Sequence, residues 1–216
     1  MKSLLYSLFV ILAFCSPVYA DQTSDVALQN KIDQLFIVGF RGMTFDTAPE
    51  AQKMLSETNV GGVILFDYDT PTKSYDRNIK TKPQTVSLIK DLQSHAKTPL
   101  FISIDEEGGK VSRLKRVSGF TPILSASKLS LKSDKQVQAI AKGLGVVLSG
   151  YGFNMNFAPV LDVNVNKKSP AIGAVGRSFS HLQSVVTRKG IAFSKGLEQS
   201  NIVPVGKHYP GHGSAV

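Results

Sequence analysis

The stretch Leu100-Phe101-Ile102-Ser103-Ile104-Asp105-Glu106-Glu107-Gly108-Gly109 sets a nearly unbroken apolar run directly against an acidic, glycine-bearing turn. A run without polar alternation is the pattern of a strand buried on both faces, and such strands belong to parallel sheets covered by helices. The same pattern appears upstream in Leu35 to Phe40 and Gly62 to Phe66, and downstream in Asn154 to Val160 and Ile202 to Gly206. Helical spacing fills the gaps over Ala48 to Ser56, Lys82 to His95, about Lys135 to Ser149 and about His181 to Gln199. Strand and helix therefore alternate, which predicts an α/β fold with a parallel sheet.

Two architectures share this alternation, a doubly wound open sheet and a TIM-like (β/α)8 barrel. The first carries G-x-G-x-x-G after its opening strand, and Gly39-Phe40-Arg41-Gly42 does not match. In both, function gathers at the C-terminal ends of strands. Asp67, Asp105, Asp162 and the Lys207-His208 pair each follow an apolar run. This distribution favours the barrel, of which about the first five βα units are readable. No linker, repeat or low-complexity tract interrupts them, so residues 21–216 are expected to belong to one domain.

The chain has 216 residues, 42% of them hydrophobic and 19% charged, which suits a packed core and excludes a disordered chain. A net charge of +9 raises the question of nucleic-acid binding. The basic residues are spread thinly, with no run longer than Lys167-Lys168 and no interleaved aromatics, so a nucleic-acid partner is not expected. Residues 1–20 read as a signal peptide: Lys2, an apolar run from Leu4 to Phe14, then Val18-Tyr19-Ala20 as a cleavage site. The run is too short to span a bilayer, so stable membrane insertion is not expected. The protein is expected in the periplasm or outside the cell. Cys15, the only cysteine, offers lipid anchoring as a lesser alternative, although Phe14 fits that processing site poorly. Cleavage after Ala20 would leave no cysteine and no disulfide.

Several groups could do chemistry. The acids Asp105, Glu106 and Glu107 leave a strand in succession, so alternation lets only one or two of them face a common pocket. They read either as a substrate-binding or acid/base carboxylate, or as acids decorating a helix N-terminus. Arg113 could lie over the same mouth, and Arg177 sits in a glycine-bearing loop after the fourth strand; taken alone, each suits a surface. His208 and His212 are four apart, a metal-ligand spacing on a helix. Pro210 and Gly211 between them forbid that helix, so no metal and no other cofactor is expected. Lys207-His208 instead closes a strand, and Pro210 to Gly213 shapes a tight loop over the mouth.

Four segments resemble known motifs in order. Ile104 to Leu114 is similar to the I-D-x-E-G-G-R-V-x-R-[FL] segment of glycoside hydrolase family 3, and Asn156 to Val163 to its N-x-A-P-V-x-D-[VI]. Gly176-Arg177-Ser178-Phe179-Ser180 resembles its G-x-R-[SA]-[FY] loop, and Lys207 to Gly213 its K-H-F-P-G-H-G. With Gly61 to Phe66, the resemblance runs from about Asp33 to the last residue and is closest to the bacterial β-N-acetylhexosaminidase branch. It implies a TIM-like barrel and retaining hydrolysis of terminal, non-reducing β-linked N-acetylglucosamine, with muropeptides the usual substrate. It also implies that Asp105, Arg113, Arg177, Lys207 and His208 contact the sugar, Asp105 accepting from hydroxyls and Lys207 and His208 donating to them. Glu106 and Glu107 receive no role from it. The branch carries its acid/base histidine on a loop after K-H-F-P-G-H-G and its nucleophilic aspartate further on. The sequence reaches Val216 before either, so the chain is expected to be the N-terminal part of the enzyme, without catalytic residues of its own. The other readings are a non-catalytic sugar-binding or scaffold protein, or a β-glucosidase-type member of the family.

Overall fold

The computed structural model describes residues 22–216; the export signal read in residues 1–20, with Cys15, lies outside the described residues. Helix α1 (Gln22–Asp33) leads to strand β1 (Ile37–Gly39), helix α2 (Pro49–Glu57), strand β2 (Gly62–Leu65), helix α3 (Lys82–His95) and strand β3 (Phe101–Ile104). A ribbon of two short strands follows, β4 (Glu106–Gly108) and β5 (Val111–Ser112), then one helical turn, α4 (Ala126–Leu129). Helix α5 (Asp134–Ser149), strand β6 (Met155–Asn156), helix α6 (Gln183–Glu198) and strand β7 (Val203–Pro204) complete the order.

Five strands form one sheet in the order β1-β2-β3-β6-β7, and every pairing is parallel. Spatial order follows chain order without a reversal. A doubly wound sheet reverses at a switch point, whereas successive barrel strands do not. The fold is the TIM-like α/β architecture expected from the sequence.

Burial explains the central apolar runs, whereas the outer strands β1 and β7 are only partly buried, with Leu35, Phe36 and Val203 exposed. Val63, Leu65, Ile102 and Ile104 on the central strands are fully buried, and so is Ser103 between the last two. Ser103 is tolerated there because its hydroxyl donates to the Val63 carbonyl at 2.8 Å. Leu88 and Leu92 of α3 and Leu148 of α5 close over the sheet. Each large side chain removed from water contributes about 1.5–3 kcal/mol. The helices begin where the sequence caps them. Thr81 with Gln84, and Ser133 with Gln136, form reciprocal capping boxes at the starts of α3 and α5. Helices α5 and α6 pack closely where Gly196 faces Ala141, since a Cβ on Gly196 would lie 2.7 Å from the Ala141 Cβ.

Two expectations are corrected. The fourth apolar run, Asn154 to Val160, yields a strand only at Met155–Asn156, plus an isolated bridge between Val160 and Lys207. Asparagine side chains take over the pairing: Asn154 accepts from Ile102 N at 2.7 Å and donates to Leu100 O at 2.9 Å. Pro159 has no N–H to continue the ladder. The acids after β3 do not open a helix. They enter the β4–β5 ribbon, whose turn needs Gly108 (φ 88°) and Gly109 (φ 60°), both in the left-handed region that favours glycine.

Candidate functional site at the C-terminal ends of the strands

The polar residues that follow the strands converge as expected. Asp105 leaves β3 with its carboxylate between two cations: Lys207 Nζ lies 2.7 Å from Oδ1 and Arg113 Nη2 3.2 Å from Oδ2. Burial pushes the Asp105 carboxyl up, but the Lys207 charge and hydrogen bond, helped by Arg113, outweigh it and hold it below the usual carboxylate range. Arg113 also stands 3.7 Å from Asp67 Oδ1 and over the Phe66 ring. Asp67 is itself buried.

Glu107, to which the family resemblance gives no role, ties two of the site's cations together. Its Oε1 meets Lys207 Nζ at 2.6 Å and Arg177 Nη2 at 2.7 Å, while Oε2 accepts from Arg177 Nε at 2.7 Å. This two-pronged bond fixes the plane of the guanidinium. The hydrogen bond to Glu107 chiefly raises the Arg177 pKa above its ordinary value. Arg177 further donates to Ala171 O at 2.9 Å. Only the strand alternation could have flagged Glu107, since it lies two positions beyond Asp105 and so falls on the same face.

Asp162, at the end of the fourth apolar run, anchors His208 and the loop that follows it. Its carboxylate has no exposed side-chain surface; Oδ2 lies 2.6 Å from His208 Nδ1, and Oδ1 accepts from the His212 backbone N–H at 2.6 Å. The Pro210-Gly211-His212-Gly213 loop is thus tied to the end of the fourth apolar run. A Cβ on Gly213 would strike the Val163 carbonyl, which explains the glycine there. His208 Nε2 stands 3.4 Å from Arg177 Nη2.

Glu106 faces the other way. It is fully buried, its Oε2 accepts from Leu114 N at 3.1 Å, and its backbone is clasped by the Asn156 side chain through two bonds of 2.9 Å. Burial pushes its carboxyl up to about 7. Oε1 has no hydrogen-bond partner among the described residues.

All five residues singled out from the sequence, Asp105, Arg113, Arg177, Lys207 and His208, therefore stand in one polar network, joined by Glu107, Asp162 and Asp67. Neither arginine is a loose surface residue. Among the described residues, no three His, Cys, Asp or Glu side chains are grouped to hold a metal ion.

Comparison with known proteins adds to this geometry. The model of the glycosyl hydrolase family 3 N terminal domain matches residues 27–216. The chain belongs to glycosyl hydrolase family 3. Among its family 3 relatives, beta-hexosaminidase A of Pseudoalteromonas piscicida is 38% identical over 173 residues, covering 76% of this chain and 27% of that protein. Beta-hexosaminidase LpqI of Mycobacterium tuberculosis is 33% identical over 185 residues, 86% of this chain and 43% of the relative. Of solved structures, a family 3 β-N-acetylglucosaminidase from Paenibacillus sp. str. FPU-7 superposes with a TM-score of 0.76 at 34% identity, covering 86% of this chain and 34% of that one. A β-N-acetylhexosaminidase from Beutenbergia cavernae gives 0.75 at 28% identity, covering 87% and 55%. The chain spans less than half the length of the two curated relatives and about a third to just over half of the two structures.

Proposed function

We propose that this chain supplies the sugar-holding part of a β-N-acetylhexosaminidase, which removes terminal, non-reducing β-linked N-acetylglucosamine with retention of configuration. The observation that carries the reading is the Asp105 carboxylate, held ionised between Lys207 and Arg113 at the mouth of the strands. An ionised carboxylate accepts from sugar hydroxyls, and the cations that hold it donate to neighbouring oxygens. Glu107 keeps Arg177 and Lys207 in place and so positions the donors. The relatives named beta-hexosaminidase support the same activity.

On the family pattern, the acid/base and the nucleophile come later in the chain than Gly213. The reading therefore places catalysis in the full-length protein and sugar binding in the residues described. Residues 21–216 as the N-terminal portion of a single barrel domain, and export directed by residues 1–20, complete the proposal. With export, the substrates are cell-wall muropeptides or related glycans of the envelope.

The test is hydrolysis of p-nitrophenyl sugars by the full-length protein. Release from the β-N-acetylglucosaminide, with little from the β-glucoside, is expected; the opposite preference would assign a β-glucosidase. Asp105→Ala removes a partner of both cations and of a sugar hydroxyl, and kcat/KM is expected to fall about 100-fold or more. An unchanged kcat/KM would remove Asp105 from the site.

A further inference from the structure

His208 is held at both ring nitrogens, and the two partners are of opposite kinds. On one side, Asp162 has no exposed side-chain surface and accepts the His212 N–H on Oδ1, leaving Oδ2 at 2.6 Å from His208 Nδ1. With Oδ1 already accepting a backbone N–H, the carboxylate presents Oδ2 to the ring as a second acceptor, which places a hydrogen on Nδ1. On the other side, Nε2 lies 3.4 Å from Arg177 Nη2. A guanidinium only donates. Arg177 cannot swing away, because Nε and one Nη2 hydrogen are engaged by Glu107 and one Nη1 hydrogen by the Ala171 carbonyl, which leaves the second hydrogen of each Nη to donate elsewhere. A hydrogen on Nε2 would set donor against donor, whether the ring were neutral or doubly protonated.

We propose that Asp162 is a positioning residue that locks His208 in the Nδ1–H tautomer, so that Nε2 offers a lone pair to the site and accepts, rather than donates, a hydrogen bond. This rests on the sugar-binding reading above and reverses the donor role that the family resemblance gave His208. Arg177 and His208 then form an adjacent donor and acceptor. A sugar hydroxyl fits the pair, its oxygen receiving from Arg177 and its hydrogen going to Nε2. An ether oxygen or a fluorine has no hydrogen to give and fits only half of it.

Nitrogen-15 NMR of the histidine rings in the full-length protein, without sugar and at neutral pH, reads the tautomer directly. A protonated Nδ1 with a bare Nε2 on His208 is expected; an Nε2–H ring or an imidazolium would overturn the proposal. In Asp162→Asn the amide oxygen can keep the His212 N–H while the amide nitrogen faces Nδ1. That variant is expected to switch the ring to Nε2–H and to weaken N-acetylglucosamine binding roughly tenfold, as loss of one hydrogen bond in a charged setting does. Titration calorimetry reads that change. A switched ring with unchanged affinity would remove His208 from sugar recognition and overturn the acceptor role. If the wild-type ring is as proposed but N-acetylglucosamine does not bind, the sugar-binding reading fails and the tautomer stands. Should the variant not fold, the wild-type spectrum decides alone.

Discussion

The two faces of the β4–β5 ribbon carry neighbouring glutamates with opposite fates. Glu107 faces the mouth and is bonded on both oxygens to Arg177 and Lys207. Glu106, one residue earlier, faces the interior, where Oε2 accepts the Leu114 N–H and no cation among the described residues is bonded to the carboxylate. Both are buried, so depth does not separate them. The difference is the supply of cations. Glu106, buried with no cation bonded to it, moves towards the neutral acid.

The comparison breaks first at Glu107. Glu107→Ala leaves two cations without their buried partner, and thermal unfolding is expected to show a loss of about 3–5 kcal/mol. A loss below about 1 kcal/mol, the range of an exposed pair, would show that solvent already screens the network. Next comes Glu106, with the opposite sign. Its folded pKa of about 7 lies above the ordinary 4.5, so the stability it contributes is complete below pH 4.5 and is lost as pH rises through 7. Glu106→Gln removes that loss. At pH 8 the variant is expected to be more stable than the wild type by roughly 3 kcal/mol, and equal to it near pH 4. Chemical denaturation at several pH values measures this, and parallel curves for the two proteins would sink the assignment. The smallest effect serves as a control away from the ribbon. Ser133→Ala removes the cap of α5, at a cost of about 1 kcal/mol, with sugar binding unchanged by calorimetry.

Much of this was legible in the sequence, for identifiable reasons. The runs at Gly62 to Phe66 and Leu100 to Ile104 become the central strands, buried except at Ile64 and Phe101, and Lys82 to His95 matches α3 residue for residue. Asp105 and Lys207 meet because both follow a strand at the same end of a parallel sheet. Pairing was not legible. Glu107 finds Arg177 seventy positions away, and nothing in its neighbourhood says so. The acids after β3 read equally as a helix start, because Gly108-Gly109 marks a turn without naming its kind. The fourth strand was overread because asparagine side chains can replace backbone pairing, a substitution that an apolar pattern does not record.

The Asp105 carboxylate has one partner near in sequence and one far. Arg113 is eight residues away and Lys207 is 102. Closing the longer loop costs about 2 kcal/mol more in chain entropy, so the Arg113 contact can form while the downstream strands are still unpaired. Lys207 arrives only once β6 and β7 have docked in order on β3. Until then the acid has a single counter-ion and the mouth has one wall. Ligand affinity is therefore a late reporter of folding: a chain that binds sugar has, by that fact, assembled its sheet as far as the fifth strand.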